Sequence, residues 1–214
     1  MYKRYRILLL GLLLLSIALG CNTIAQVQPT APSEPTKTPI PGWEKFEGGN
    51  VELWLPESYE GGNLEEDIDV VVEKLKSLGP DFEQMAEMIE QNSTAFVIWA
   101  FDSEIGDSGG LTSVAVTTEK VLSVMTIDTY LDSAIKQLPA TFQVVERDIV
   151  SIEGYPAGRL VFGFSVSGVA VKEVLYTVKD GNTMWVITCG TTAEEYDQRL
   201  PVFEQSVLTF AIHH

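Results

Sequence analysis

The sequence predicts an α+β domain, an antiparallel sheet with helices packed on its faces. Three observations carry that prediction. Residues 154–210 hold three long apolar segments divided by tight-turn signals at Ser167-Gly168 and Asp180-Gly181-Asn182, followed by one helical period and a short closing strand. In those segments Val161, Val171, Leu175, Val178, Trp185, Val186 and Ile187 fall on both parities, and a strand apolar on both faces must be covered on both. Upstream, helical periods are interspersed with strand-like runs, and these helices supply the cover. The meander is therefore expected at the centre of the sheet.

The elements follow in order. Residues 43–46 and 51–55 flank Gly48-Gly49-Asn50, a turn between two short strands, and Pro56 ends the second. Leu64, Ile68, Val71, Leu75 and Leu78 mark one face of a helix, with Asn63 as its cap and Glu66 as the reciprocal partner of a capping box. Gly79 stops it, and Pro80 opens a second helix bearing Phe82, Met85, Ala86 and Ile89. Residues 94–101 predict a buried strand and 113–121 its antiparallel neighbour. A third helix carries Ile127, Leu131, Ala134 and Leu138 between Thr126 and Pro139. Residues 141–152 are more polar and suit a sheet edge. After the meander, Thr192 and Glu195 form a second capping-box pattern, opening a helix with Tyr196, Leu200, Phe203 and Val207 on one face. Pro201 inside it is expected to kink or split the helix. No internal repeat is present.

The opening VELWLPESYEGG, the block GYPAGRLVF, the hairpin KEVLYTVKDGNTMWVITC and the closing YDQRLPVFEQSVLTF resemble the PsbP/DcrB-like group. The resemblance spans the whole domain, residues 43–212, and rests on glycines, a tryptophan and a terminal helix. It implies an α/β/α sandwich around a six- to seven-stranded antiparallel sheet. It also implies a largely non-catalytic extracytoplasmic protein, and it brings no active-site residues with it.

The chain of 214 residues divides into three parts. Residues 1–6 are a basic segment and residues 7–20 an apolar run of signal-peptide length, shorter than a spanning helix needs. Ala18-Leu19-Gly20-Cys21 then resembles the lipobox of bacterial lipoproteins, which would place diacylglycerol on the Cys21 sulfur. That family usually has Leu three residues before the cysteine and a small residue two before, where this chain has Ala18 and Leu19. An uncleaved anchor helix and an ordinary signal peptide cut elsewhere are the alternatives. Residues 21–42 form a tether with prolines at 29, 32, 35, 39 and 41, extended at roughly 3 Å per residue and reaching on the order of 50 Å from a bilayer. Residues 43–214 are the folded domain.

The formal charge of −16 would pass to about −19 once Lys3, Arg4 and Arg6 are removed with a signal segment. Such a chain is not built for nucleic acid, which draws clustered Lys and Arg, nor for docking its domain on anionic lipid. The charge is uneven. Residues 43–110 hold 17 acidic residues against three lysines, whereas residues 111–214 hold 12 against seven basic ones. Glu65, Glu66, Asp69 and Glu73 are the candidate partner face for a basic protein surface. A solvated layer that serves solubility is the plainer reading.

Motifs for chemistry are weak. Gly106-Asp107-Ser108-Gly109-Gly110 matches the string around a serine-protease nucleophile, but the only histidines are His213 and His214, and Leu111 stands where that string continues with proline. A loop between two strands is the expected role. Cys189 lies on the parity of Trp185 and Ile187, which predicts a buried, inert thiol. Glu65, Glu66, Asp67 and Asp69 lack the glycine and alternating ligands of a calcium loop; they suit a helix N-terminus, with an exposed weak cation site as the alternative use. Asn92-Ser93-Thr94 matches a glycosylation acceptor by chance. No metal centre and no cofactor are expected. The functional expectation is thus a lipid-anchored extracytoplasmic binding or assembly module, held to the bilayer through acylated Cys21. A small-ligand or cation carrier with a pocket between sheet and helices is the second reading, and an enzyme the third.

Overall fold

The computed structural model describes residues 39–214. The basic segment, the apolar run, Cys21 and the tether as far as residue 38 lie outside the described residues. β1 (Trp43–Gly48) and β2 (Val51–Pro56) form the expected hairpin, with Gly49 at φ +57° in its turn. A strand that sequence reasoning missed comes next, β3 (Tyr59–Gly62). Gly61 takes φ +139°, and a side chain there would stand 2.2 Å from the Trp99 carbonyl oxygen. Close backbone approach makes this strand, so no apolar alternation marked it.

α1 (Leu64–Ser77) buries Leu64, Val71, Val72 and Leu75, and Asn63 caps it by accepting the Glu65 N–H at 3.1 Å. Glu66, expected to reciprocate, is exposed. A 3-10 turn at Pro80–Phe82 leads into α2 (Glu83–Gln91), which buries Ala86 and Ile89. The strand expected over 94–101 begins later. Ser93–Ala95 is a 3-10 turn, and β4 spans Ile98–Asp102. The Asn92 amide donates to the Met88 carbonyl at 2.7 Å, and such local polar bonds favour turns over strands.

β5 (Ser113–Lys120), α3 (Ile127–Gln137) and β6 (Gln143–Ile152) follow as expected, with Thr126 accepting the Thr129 N–H at 3.1 Å to cap α3. The meander is β7 (Tyr155–Val166), β8 (Val169–Asp180) and β9 (Thr183–Thr192). α4 (Tyr196–Val207) and β10 (Ala211–Ile212) close the chain. Of the two outcomes expected of Pro201, splitting does not occur: α4 runs unbroken through it. Pro201 lies inside the helix, where its missing N–H deprives the Asp197 carbonyl of a donor, and Tyr196, Phe203 and Val207, buried on either side of it, keep the helix continuous.

Seven strands form the main sheet in the order β3-β4-β5-β9-β8-β7-β6, every pair antiparallel. β9 is its middle strand and β6 an edge, as the sequence predicts. Register assigns the faces. On one face α1 and α2 cover Trp99 and Phe101, while α3 covers Leu160, Phe162, Met184 and Val186. On the other, Val174, Val178, Trp185, Ile187 and Cys189 meet Phe203, Val207 and Phe210. That second layer is shared. β1, β2 and β10 form a separate three-stranded sheet, order β1-β2-β10, whose inner residues Phe46, Val51, Leu53, Leu55 and Ile212 join the same core. Where β10 runs out, the end of α4 and the connection after it take over the edge of β2: Ser206 Oγ donates to the Trp54 carbonyl and Thr209 Oγ1 accepts the Trp54 N–H, both at 2.7 Å. Among the described residues, no helix is long and apolar enough to cross a membrane.

Trp185 is 6% exposed, with Phe210 tilted against it at 6.3 Å between ring centroids. Trp185→Ala is expected to cost about 3–5 kcal/mol through lost burial and the cavity left behind. Chemical denaturation checks this, and an unshifted midpoint would show that the second face does not depend on this side chain.

Candidate functional site

The acidic residues of α1 divide cleanly from its apolar ones. Spacing of three and four keeps Leu64, Val71 and Leu75 on the sheet, which leaves Glu65, Glu66, Asp69 and Glu73 all exposed. Glu65, Glu66 and Asp67 occupy the first turn, where carboxylates oppose the positive end of the helix dipole. α2 adds exposed Glu83, Glu87 and Glu90. Lys74 is drawn off this face to Glu60 at 2.7 Å. Among the described residues, none of the four α1 carboxylates is in an ion pair. Some carboxylates elsewhere are matched: Arg147 lies between Asp128 and Asp132 at 2.6 and 2.9 Å, and Arg159 meets Glu146 at 2.5 Å.

The protease-like string does lie in the loop between β4 and β5, but it is tied down. The Ser108 N–H donates to Glu195 Oε1 at 2.9 Å, and Ser108 Oγ accepts from the Thr192 hydroxyl at 3.0 Å and the Gly110 N–H at 3.2 Å. Thr192 and Glu195 are therefore engaged across the fold, and the capping box predicted from them does not form. Thr192 belongs to β9, and Glu195 caps α4 without a side-chain bond. Hydrogen bonds from Ser108, then the Arg199 charge, hold the Glu195 carboxyl below its usual range, which makes it a poor base for a serine hydroxyl. Arg199 continues the network to buried Asp102 at 2.5 Å. The histidines lie elsewhere: His213 Nε2 is 3.1 Å from Glu52, and His214 Nδ1 is 3.8 Å from Asp180. This is a clamp joining the loop to the start of α4.

Cys189 is fully buried, and burial pushes its thiol well above the ordinary range, as an inert core residue requires. Two carboxylates on the helical face of the sheet are perturbed by their surroundings. Burial raises Glu119, on β5 against Tyr130 of α3, to about 7, with the tyrosine hydrogen bond opposing the shift. Burial also raises Glu173 of β8 to about 7.

Sequence reasoning found no metal-ligand spacing. Among the described residues, however, Glu47, Glu52 and His213 bring three ligand atoms within 4.8 Å of one another, while the 65–69 run does not. Glu47 and Glu52 are directly opposed across β1 and β2. His213 is brought in by β10 and fixed through Asn50, whose carbonyl accepts the His213 N–H at 2.8 Å and whose side chain donates to the His213 carbonyl at 2.9 Å. The ligands come from the two ends of the domain, so no local motif could have announced them.

No family model matches the sequence, and no curated protein matches it. Among solved structures, the chain is similar to LpqN of Mycobacterium tuberculosis, described as involved in cell envelope biogenesis. The TM-score is 0.50, with 11% identity over 80% of this chain and 92% of that one. The cyanobacterial PsbP (CyanoP) of Synechocystis sp. PCC 6803 matches at TM-score 0.49, with 10% identity over 85% of this chain and 98% of that one. The Saccharomyces cerevisiae Ran-binding protein Mog1p matches at 0.47, with 10% identity over 79% and 95%. The likeness to LpqN shows a shared fold and nothing of shared chemistry.

Glu119 makes stability depend on pH. Its carboxyl titrates at about 7 in the fold, against 4.5 for an unperturbed glutamate, so between these values the folded chain holds a proton that the unfolded chain has lost. Its contribution is full below 4.5 and is lost as pH rises through 7. Glu119→Gln should remove this loss, which is on the order of 1–2 kcal/mol once solvent screening is allowed for. Denaturation of both proteins from pH 4.5 to above 7 measures it; parallel curves would show that the Glu119 carboxyl titrates alike in the folded and unfolded chains.

Proposed function

We propose that this chain is a lipid-anchored, extracytoplasmic, non-catalytic binding module that presents the acidic face of α1 to a basic surface on a membrane complex or envelope component. The observation that carries the reading is the exposure, without an ion-pair partner among the described residues, of Glu65, Glu66, Asp69 and Glu73 on one helix, continued by exposed Glu83, Glu87 and Glu90 of α2. Charge at this density attracts a polycationic surface over about one Debye length, roughly 8 Å at physiological salt. The proline-rich tether supplies reach, and acylated Cys21 supplies the anchor. The binding role agrees with the clamp at Ser108, which turns the one protease-like string to a structural use. The envelope placement agrees with what is stated of LpqN, which shares the fold.

Two experiments test the reading. Cys21→Ser is expected to abolish incorporation of labelled fatty acid and release the chain from the membrane fraction; undiminished labelling would refute the anchor. Pull-down from the protein's own membranes should recover a partner whose association slows when Glu65→Lys, Glu66→Lys, Asp69→Lys and Glu73→Lys are combined, with a flatter dependence on salt. Equal rates for the two proteins across the salt range would reduce the acidic layer to a solvated face.

A further inference from the structure

We infer that Glu47, Glu52 and His213 form a binding site for a divalent transition-metal ion of the zinc class, on the outer face of the small sheet. The fold itself assembles the three ligands. Glu47 is the last residue but one of β1, Glu52 lies opposite it on β2, and β10 pairs with the other side of β2 through Ala211 and Glu52. The Asn50 clasp then sets His213 so that its Nε2 lies 3.1 Å from Glu52 Oε2. Two carboxylate oxygens and an imidazole nitrogen are a donor set for zinc and its neighbours; calcium and magnesium take oxygen ligands.

The spacing suits this use. Bonds of about 2.0–2.2 Å put tetrahedral ligand atoms roughly 3.4 Å apart. The three atoms lie within 4.8 Å of one another, so side-chain rotation closes the shell without moving the strands. Glu52 is the fixed member, its side chain 11% exposed, while Glu47, at 57%, has room to turn.

A second observation concerns the charge the site already holds. Like charges directly opposed across a strand pair are destabilising, yet Glu47 and Glu52 are placed that way. The Lys45 ammonium lies between them, 2.5 Å from Glu47 and 3.4 Å from Glu52. It marks where a cation is held, although it offers one charge and cannot take the imidazole lone pair. A divalent ion satisfies both carboxylates and the imidazole at once. On binding, Lys45 swings to solvent and the Nε2 lone pair turns to the metal; the ring keeps one proton, on Nδ1, and where the ring was charged the Nε2 proton is released to solvent.

The test is zinc titration of the full-length chain in detergent, by calorimetry. One ion per chain is expected. Glu47→Gln and His213→Ala should each weaken binding by about tenfold or more. Lys45→Met should tighten it by removing the competing ammonium, a result that a purely structural salt bridge does not give. His214→Ala serves as the control and should leave binding unchanged. Thermal melts without metal establish folding, and if His213→Ala melts early, the exposed Glu47→Gln carries the comparison. No zinc uptake by either wild type or Lys45→Met would overturn the site. So would equal losses in His213→Ala and His214→Ala, which would mark adventitious binding by adjacent histidines.

Discussion

The architecture depends on one strand that has no polar side. β9 sends Trp185, Ile187 and Cys189 to one face and Met184 and Val186 to the other, all of them buried. In water such a strand would expose apolar surface at about 25 cal/mol per Å² on either face, so two outer layers are obligatory. α1, α2 and α3 meet the first requirement, and α4 with the small sheet meets the second. The division of labour follows from supply. The first half of the chain offers amphipathic helices, and the remaining face falls to one helix and three short strands.

Local rules were legible where the partners are close in sequence. Asn63 and Thr126 cap their helices two and three residues on, as their identities predict. The turns of the meander and the edge position of β6 were equally plain. What escaped was set by distance. Thr192 and Glu195 have the spacing of a capping box, but Ser108, 87 positions from Glu195, claims the carboxylate. β3 was invisible because Gly61 reports a close approach to the Trp99 backbone rather than an apolar pattern. The acidic face needed only helical spacing and could be read directly, whereas Glu52 and His213, 161 positions apart, could not.

The clamp under the β4–β5 loop illustrates how a familiar string can be recruited for another purpose. Asp102 is buried, and its partner Arg199 reaches it from α4 while also approaching Glu195 at 3.6 Å. Removing one member of such a set strands the others without compensation, a cost of about 3–5 kcal/mol in buried pairs. The glycines and serine of residues 106–110 are thus bound by packing and hydrogen bonding, without any need for nucleophilic chemistry to explain them.

The small sheet also has a kinetic meaning. β1 and β2 join through a tight hairpin, a matter of microseconds in isolated peptides, but β10 must cross almost the whole domain to reach β2. Ordering so long an intervening chain before the contact is rewarded makes the pairing slow. Glu47 and Glu52 are brought together by a local hairpin, whereas His213 joins them only through the long-range pairing of β10. That three-residue cluster exists only when the two ends of the domain have met, so an intact cluster reports a completed small sheet.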